Sequence, residues 1–389
     1  MSSLSRATEL LEQLVAFDTV SARSNLALIE HLRELLGRHG VESRLTFHPD
    51  GQKANLLATI GPAVAGGVVL SGHTDVVPVD GQPWSSDPFR CLRRGDRLHG
   101  RGTADMKGFI ACVLALLPEM TARTLTVPIH LAFSYDEEVG CLGVPALLDD
   151  LAANLPLPAV AIVGEPTRLA VADRHKGIFG FDTAVTGRDG HSSGTHRGVN
   201  AIAAAAELVG FLQRLADRFH DDGPFDDAFD PPYTTINVGT IEGGTAVNII
   251  PRRCAFRWET RPLPAQDPQA IVAALDRFAQ AELLPRLRLV APEADVTTAP
   301  RVGVAGLEAD PSSPAAALLR RLTGVNGTIG VAFTTEAGLF QRAGIPAVVC
   351  GPGSIEQAHQ PDEFVEIAQL DSCLALLRKV IDWAAEPVL

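Results

Sequence analysis

Basic residues are in short supply: 33 Lys and Arg stand against 46 Asp and Glu, a formal charge of −13 over 389 residues. Nucleic-acid affinity rests on clustered cations, so this balance argues against a phosphate-backbone binder. Long apolar runs are absent as well, and nothing approaches the roughly 18 consecutive apolar residues of a membrane span. The nearest stretch, 201–212, is interrupted by Glu207 and reads as a buried soluble helix. The start MSSLSRATEL has no apolar run behind a basic region, so no secretory signal is expected. The six cysteines (Cys91, Cys112, Cys141, Cys254, Cys350, Cys373) form no CxxC pair. They read as small core hydrophobes in a reducing compartment, and the expected location is the cytoplasm. What remains, 46% apolar and 20% charged, is a soluble globular composition. At about 150 residues per domain the length predicts two to three domains.

Helix and strand alternate in the first segment. Leu4, Ala7, Leu10, Leu11 and Leu14 recur at helical spacing, as do Leu26, Ile29, Leu32 and Leu36 before Gly40. Apolar strand-like runs follow at 54–60, 68–71, 129–133 and 159–163, with helical stretches near 104–120 and 143–153. This pattern predicts an α/β layer with a mixed, mostly parallel sheet and flanking helices. From about Gly177 the order becomes β-α-β-β-α-β: strand 180–186, helix 199–219, strands 234–241 and 253–260, a helix near 267–283 and a strand near 286–291. That order is a self-contained ferredoxin-like α+β unit. The first rhythm then resumes, with a strand at 347–350 and a closing helix near 367–385. The expectation is therefore a discontinuous domain, 1–176 with 293–389, carrying an insert at 177–292.

Polar residues suited to chemistry sit just past the carboxyl ends of the apolar strands. The run 68–70 leads into His73-Thr74-Asp75, 129–133 into Asp136-Glu137-Glu138, 159–163 into Glu165, and 347–350 toward His359. In open α/β sheets the ligand crevice lies at that edge. Asp105, expected to open a helix after Gly100-Arg101-Gly102, can point into the same crevice. Imidazole and carboxylate donors from separate strand ends suit Zn²⁺, Mn²⁺ or Co²⁺. Two metals about 3.5–4 Å apart need a shared carboxylate, and Asp105 is the natural bridge. Asp75, two residues beyond His73, is placed to accept that histidine's other ring N–H. Adjacent side chains diverge in an extended segment, so Glu138 is assigned as a ligand and Glu137 as the general base.

Each of these residues alone has an ordinary structural reading: a satisfied histidine, a solvated Glu-Glu pair, a helix-capping aspartate. Independent surface residues, however, have no reason to share one sheet edge. The segment GRGTAD (100–105) also looks like a G-x-G-x-x-G start. Its third glycine is replaced by Asp105, which repels pyrophosphate, and the preceding 93–99 is polar, so a dinucleotide site is excluded.

The runs SGHTDVVP (71–78), GRGTADMKG (100–108), Asp136-Glu137-Glu138 and GEPT (164–167) resemble the M20 family of dinuclear zinc aminoacylases and peptidases. GHSS (190–193), GGTAVNIIP (243–251) and the region around His359 match as well, so the motifs run in order along nearly the whole chain. The resemblance implies a zinc-peptidase-like catalytic domain with an inserted dimerisation or lid domain. It implies two Zn²⁺ per subunit, with Co²⁺ or Mn²⁺ as substitutes: one held by His73 and Glu165, the other by Glu138 and His359, with Asp105 bridging. It further implies a homodimer in which His191 reaches the partner's site and steadies the oxyanion. Asn248 and Arg261 would recognise the substrate backbone, Arg261 by a bidentate pair with the α-carboxylate.

Thr335-Glu336-Ala337 and GPGSIEQAHQPDE (351–363) resemble most the members that remove the acetyl group of N²-acetyl-L-ornithine in arginine biosynthesis. On that reading Glu336 is expected to contact the δ-ammonium. The nearest rivals are desuccinylation of N-succinyl-diaminopimelate and broad N-acyl-amino-acid deacylase or dipeptidase activity. A rival of another class is a non-catalytic dimeric binding protein on the same scaffold.

Overall fold

The computed structural model describes residues 2–386, which fall into two compact units. Unit 1 comprises Met1–Arg174, Leu307–Gly330 and Thr335–Leu389; unit 2 comprises His175–Gly306 and Val331–Thr334. The large sheet takes, in chain order, β1 (Ser43–Phe47), β2 (Ala54–Ile60), β3 (Val68–His73), β4 (Ile129–Ser134), β5 (Val160–Pro166) and β6 (Ala172–His175). Unit 2 contributes β7 (Ile178–Thr186), β8 (Thr235–Gly243), β9 (Arg253–Arg261) and β10 (Asp295–Val304), and the chain returns with β11 (Ile329–Val331) and β12 (Ala347–Gly351).

Strands of the large sheet run in the order β1-β2-β4-β3-β5-β12-β6-β11. Its four central strands are mutually parallel, whereas β1, β2 and β6 pair antiparallel. Parallel central strands must be covered on both faces, and β3, β4, β5 and β12 are accordingly buried at every position. Helix α1 (Lys107–Ala115) is buried all round and apolar apart from Lys107, which marks it as the central helix of the core. Gly164 in β5 has a steric reason: a Cβ there would come within 2.0 Å of the Phe109 ring of that helix. Gly351 in β12 is required too, since its Cβ would meet the Gly164 carbonyl at 1.9 Å.

In unit 2 the four strands form an antiparallel sheet in the order β8-β9-β7-β10. Helices α2 (Ala201–Asp222) and α3 (Gln269–Phe278) contribute Leu208, Leu212, Ile271 and Leu275 to a core with Phe181, Phe256 and Trp258. The β-α-β-β-α-β order is present, but its last strand is not at 286–291. That stretch begins in helix Leu284–Arg288, and the strand is β10, which carries the unit's boundary to Gly306. Leu283 and Leu284 are buried at helical spacing with Ala279, which outweighs the short Leu-Arg alternation that mimics a strand.

Candidate metal centre

Four parallel strands deliver the site. His73 is the last residue of β3, Glu137 and Glu138 follow β4, Glu165 lies near the end of β5, and His359 is on the loop after β12. Asp105 comes from the turn ahead of α1, whose N-cap is Met106, so it precedes the helix rather than opening it. The Asp105–Met106 peptide is cis. Asp105 turns a different oxygen to each histidine: Oδ1 lies 3.0 Å from His73 Nε2, and Oδ2 lies 3.5 Å from His359 Nε2. Glu165 approaches His73 Nε2 at 3.5 Å, and Glu138 approaches His359 Nε2 at 3.0 Å. The expected ligands thus converge as two His–carboxylate pairs sharing one aspartate.

Donor chemistry fits cations. Ligand atoms of His73, Asp105 and Glu138 lie within 4.8 Å of one another, as do those of His73, Glu137 and Glu165. Burial, reinforced by neighbouring carboxylates, pushes Glu137 and Glu165 well above the usual carboxylate range and Glu138 to about 7. Burial opposes charge on His73 too, yet the hydrogen bond to Asp105 and the charge of Glu165 lift its pKa well above 6.5. For His359 the bond to Glu138 raises the pKa above its ordinary value, against the opposing effect of burial. Buried acids crowded against imidazoles need positive charge, and two divalent ions would supply it without protons.

Asp75 orients His73, though not as expected. The His73 Nδ1–H donates to the Asp75 main-chain carbonyl at 2.9 Å, and the nearer carboxylate oxygen is 3.7 Å away. The carboxylate instead accepts from Ser21 Oγ (2.7 Å), Glu137 N (3.1 Å) and Glu138 N (3.3 Å). Asp75 therefore pins the backbone of both glutamates. Asp136, between strand and pair, is taken by Lys53 Nζ at 2.5 and 2.6 Å.

Glu336 does not lie where a substrate ammonium can meet it. It is only 1% exposed, and its carboxylate accepts from the Ser71 hydroxyl at 2.8 Å and from the Ser134 hydroxyl. Those serines belong to β3 and β4, so Glu336 braces the strands that carry His73 and the Glu137–Glu138 segment.

Residues 69–383 match the description Peptidase family M20/M25/M40. The chain belongs to this family. It is 37% identical over 384 residues to the acetylornithine deacetylase of Proteus mirabilis, covering 96% of this chain and 95% of that one. Identity to the Pasteurella multocida acetylornithine deacetylase is 35%, with 96% of each chain covered. Among solved structures, an M20 family metallo-carboxypeptidase from Sulfolobus solfataricus has the same fold: TM-score 0.76 at 18% identity, over 97% of this chain and 99% of that chain.

The remaining expected site residues of this M20 chain belong to unit 2. His191 pairs with Ile249 across a short ladder, and Ser192 N donates to the Asn248 carbonyl at 3.1 Å, so His191 and Asn248 are neighbours. The exposed His191 ring accepts at Nδ1 from Ser193 N and shares a 2.8 Å contact with Ser193 Oγ. Arg261, at the far end of β9, pairs with Glu259 at 3.1 Å. Register shows the separation: Arg253 opposes Thr186 at the His191 end, and Thr260 opposes Phe179 at the other. Eight residues of strand are about 26 Å.

Sequence reasoning did not single out Arg101, Gln82 or Glu363, whose side chains hold the loops bearing Asp105 and His359. Arg101 carried a signal, an arginine between two glycines four residues before Asp105. Gln82 carried none.

Proposed function

We propose that this M20 hydrolase is a homodimeric zinc enzyme that cleaves the amide of N²-acetyl-L-ornithine to acetate and L-ornithine. The reading rests above all on near-full-length similarity to two acetylornithine deacetylases, in a chain whose five metal donors and Glu137 converge at one sheet edge. His73, Glu165, Asp105, Glu138 and His359 would hold two divalent ions, which supply Lewis acidity and a lowered pKa for water. Glu137 takes the proton of the attacking water as that oxygen adds to the acetyl carbonyl. His191 donates to the developing oxyanion, and Glu137 returns its proton to the departing α-amine. The bond broken is the acetyl C–N bond. With Glu336 buried, recognition of the δ-ammonium falls to another group.

The geometry of unit 2 supports the homodimeric part of this reading. If His191, Asn248 and Arg261 all serve one substrate, the roughly 26 Å between the two ends of the sheet favours their coming from two copies of the chain. Among the described residues strand β8 is a sheet edge, and Ile241 within it and Val247 and Ile249 after it are exposed. Such an edge suits pairing with a second copy.

Parallel kinetics on acetyl-ornithine, succinyl-diaminopimelate, acetyl-methionine and a dipeptide after zinc reconstitution test the reading. Acetyl-ornithine should have the highest kcat/KM. Preference for any of the other three would overturn it.

A further inference from the structure

Glu363 is a buried carboxylate with four donors and no place in the chemistry described so far. Its side chain is fully buried, as is that of Arg101 at 1% exposure. Oε2 accepts from Arg101 Nη1 at 2.8 Å and from Gly102 N at 2.9 Å; Oε1 accepts from Ala104 N at 2.9 Å and from Asp105 N at 3.1 Å. One carboxylate thereby gathers three amides of the turn that presents Asp105, the last being Asp105's own.

A second arm leads to His359. Arg101 Nη2 donates to Gln82 Oε1 at 2.7 Å, and Trp84 Nε1 donates to the same oxygen at 3.0 Å, which fixes the orientation of the Gln82 amide. Gln82 Nε2 then donates to the His359 carbonyl at 2.9 Å. His359 has φ +61°, a left-handed conformation that costs a non-glycine residue about 1–2 kcal/mol and persists only where its surroundings impose it. Arg101 also reaches the neighbouring Gln360 carbonyl at 3.4 Å. Glu363 is itself four residues beyond His359, so the clamp ties the Asp105 turn to the His359 loop.

Stability alone is a poor reason for such a group. Replacing a buried ion pair by apolar residues is often neutral or stabilising, so its use here lies in what it holds. Both ends of this network stop at the backbone of a metal-donor residue. We infer that Glu363, with Arg101 and Gln82, is a positioning device that sets the Asp105–Glu138–His359 half of the centre. The His73–Glu165 half shares Asp105, but its own two donors stand on the paired strands β3 and β5, so it depends on the clamp less.

The inference rests on the two-metal reading, so Zn²⁺ binding to metal-free protein is the readout, measured by isothermal titration. Wild type should bind two Zn²⁺ per chain in separable classes; a single class of one would sink the two-metal reading itself. In Glu363→Gln the amide nitrogen meets backbone donors, and the weaker class should lose about 10–100-fold in affinity, as changes beside metal ligands do. The tighter class should change by less than about threefold. Gln82→Ala, at a half-buried side chain, should weaken the same class by a smaller factor. Should Glu363→Gln not fold, Gln82→Ala and Arg101→Lys decide by the same titration. Equal weakening of both classes, or none in Gln82→Ala and Arg101→Lys, overturns the inference.

Discussion

The two halves of the metal centre are built from different materials. His73 and Glu165 stand on β3 and β5, hydrogen-bonded neighbours in the middle of the sheet, and their side chains are buried. Glu138 and His359 stand on loops, and the His359 side chain is 54% exposed. Sheet pairing places the first half, and the Asp75 main-chain carbonyl orients its histidine. The second requires dedicated carboxylates: Asp75 on the Glu137–Glu138 amides and Glu363 on the Asp105 turn. Residues on strands are positioned by the ladder, whereas loop residues need partners of their own. Glu137, the proposed base, is on the loop-borne side, where small movements are easiest.

The largest expected effect separates chemistry from binding. Glu137→Gln should lower kcat about 10³-fold while both metals are retained by elemental analysis. Normal turnover with two metals bound would remove Glu137 as the base. Next come the histidines, which test the halves directly. His359→Ala should keep one Zn²⁺ per chain with the affinity of the tighter wild-type class. His73→Ala should lose that class, and indistinguishable isotherms would erase the proposed difference. Asp75→Asn should cost about 10–100-fold in kcat, because its amide nitrogen faces the Glu137 or Glu138 N–H. An unchanged kcat would mean the glutamate segment holds itself.

The smallest effect on the centre is expected from His130, on β4 but away from its catalytic end. Burial pushes its pKa down to about 4, while Thr59 Oγ1 lies 2.9 Å from Nδ1. The folded state keeps this ring neutral, so between pH 6.5 and 4 the unfolded chain binds the extra proton. Its contribution to stability is intact above pH 6.5 and falls as pH drops through that window, by about 3 kcal/mol in full. His130→Gln should flatten that part of the pH–stability curve measured by denaturant unfolding and leave kcat at neutral pH unchanged. A slope identical to wild type would contradict the assignment.

The difference between the halves also explains what was legible in the sequence. The sheet, its parallel centre and the strand-end donors follow from apolar runs that each finish in a polar residue. The Glu363 clamp does not, because it joins Arg101 to a residue 262 positions away. Glu336 looked like a substrate contact because motifs give proximity without depth; its serine partners sit on β3 and β4, which come together only on folding. Strand β10 was hidden by Pro300, which sits at a register irregularity on an edge strand, where proline is tolerated. Asp75 was expected to hold His73 through its carboxylate; the main-chain carbonyl does so, and the carboxylate holds the Glu137 and Glu138 amides.

A Zn²⁺ titration of the metal-free wild-type chain bears most directly on this picture of one centre with two unequal halves. The account predicts two ions per chain in two classes, the tighter lost in His73→Ala and the weaker in His359→Ala. Two equivalent ions, or a tighter class that survives His73→Ala and vanishes in His359→Ala, would contradict it.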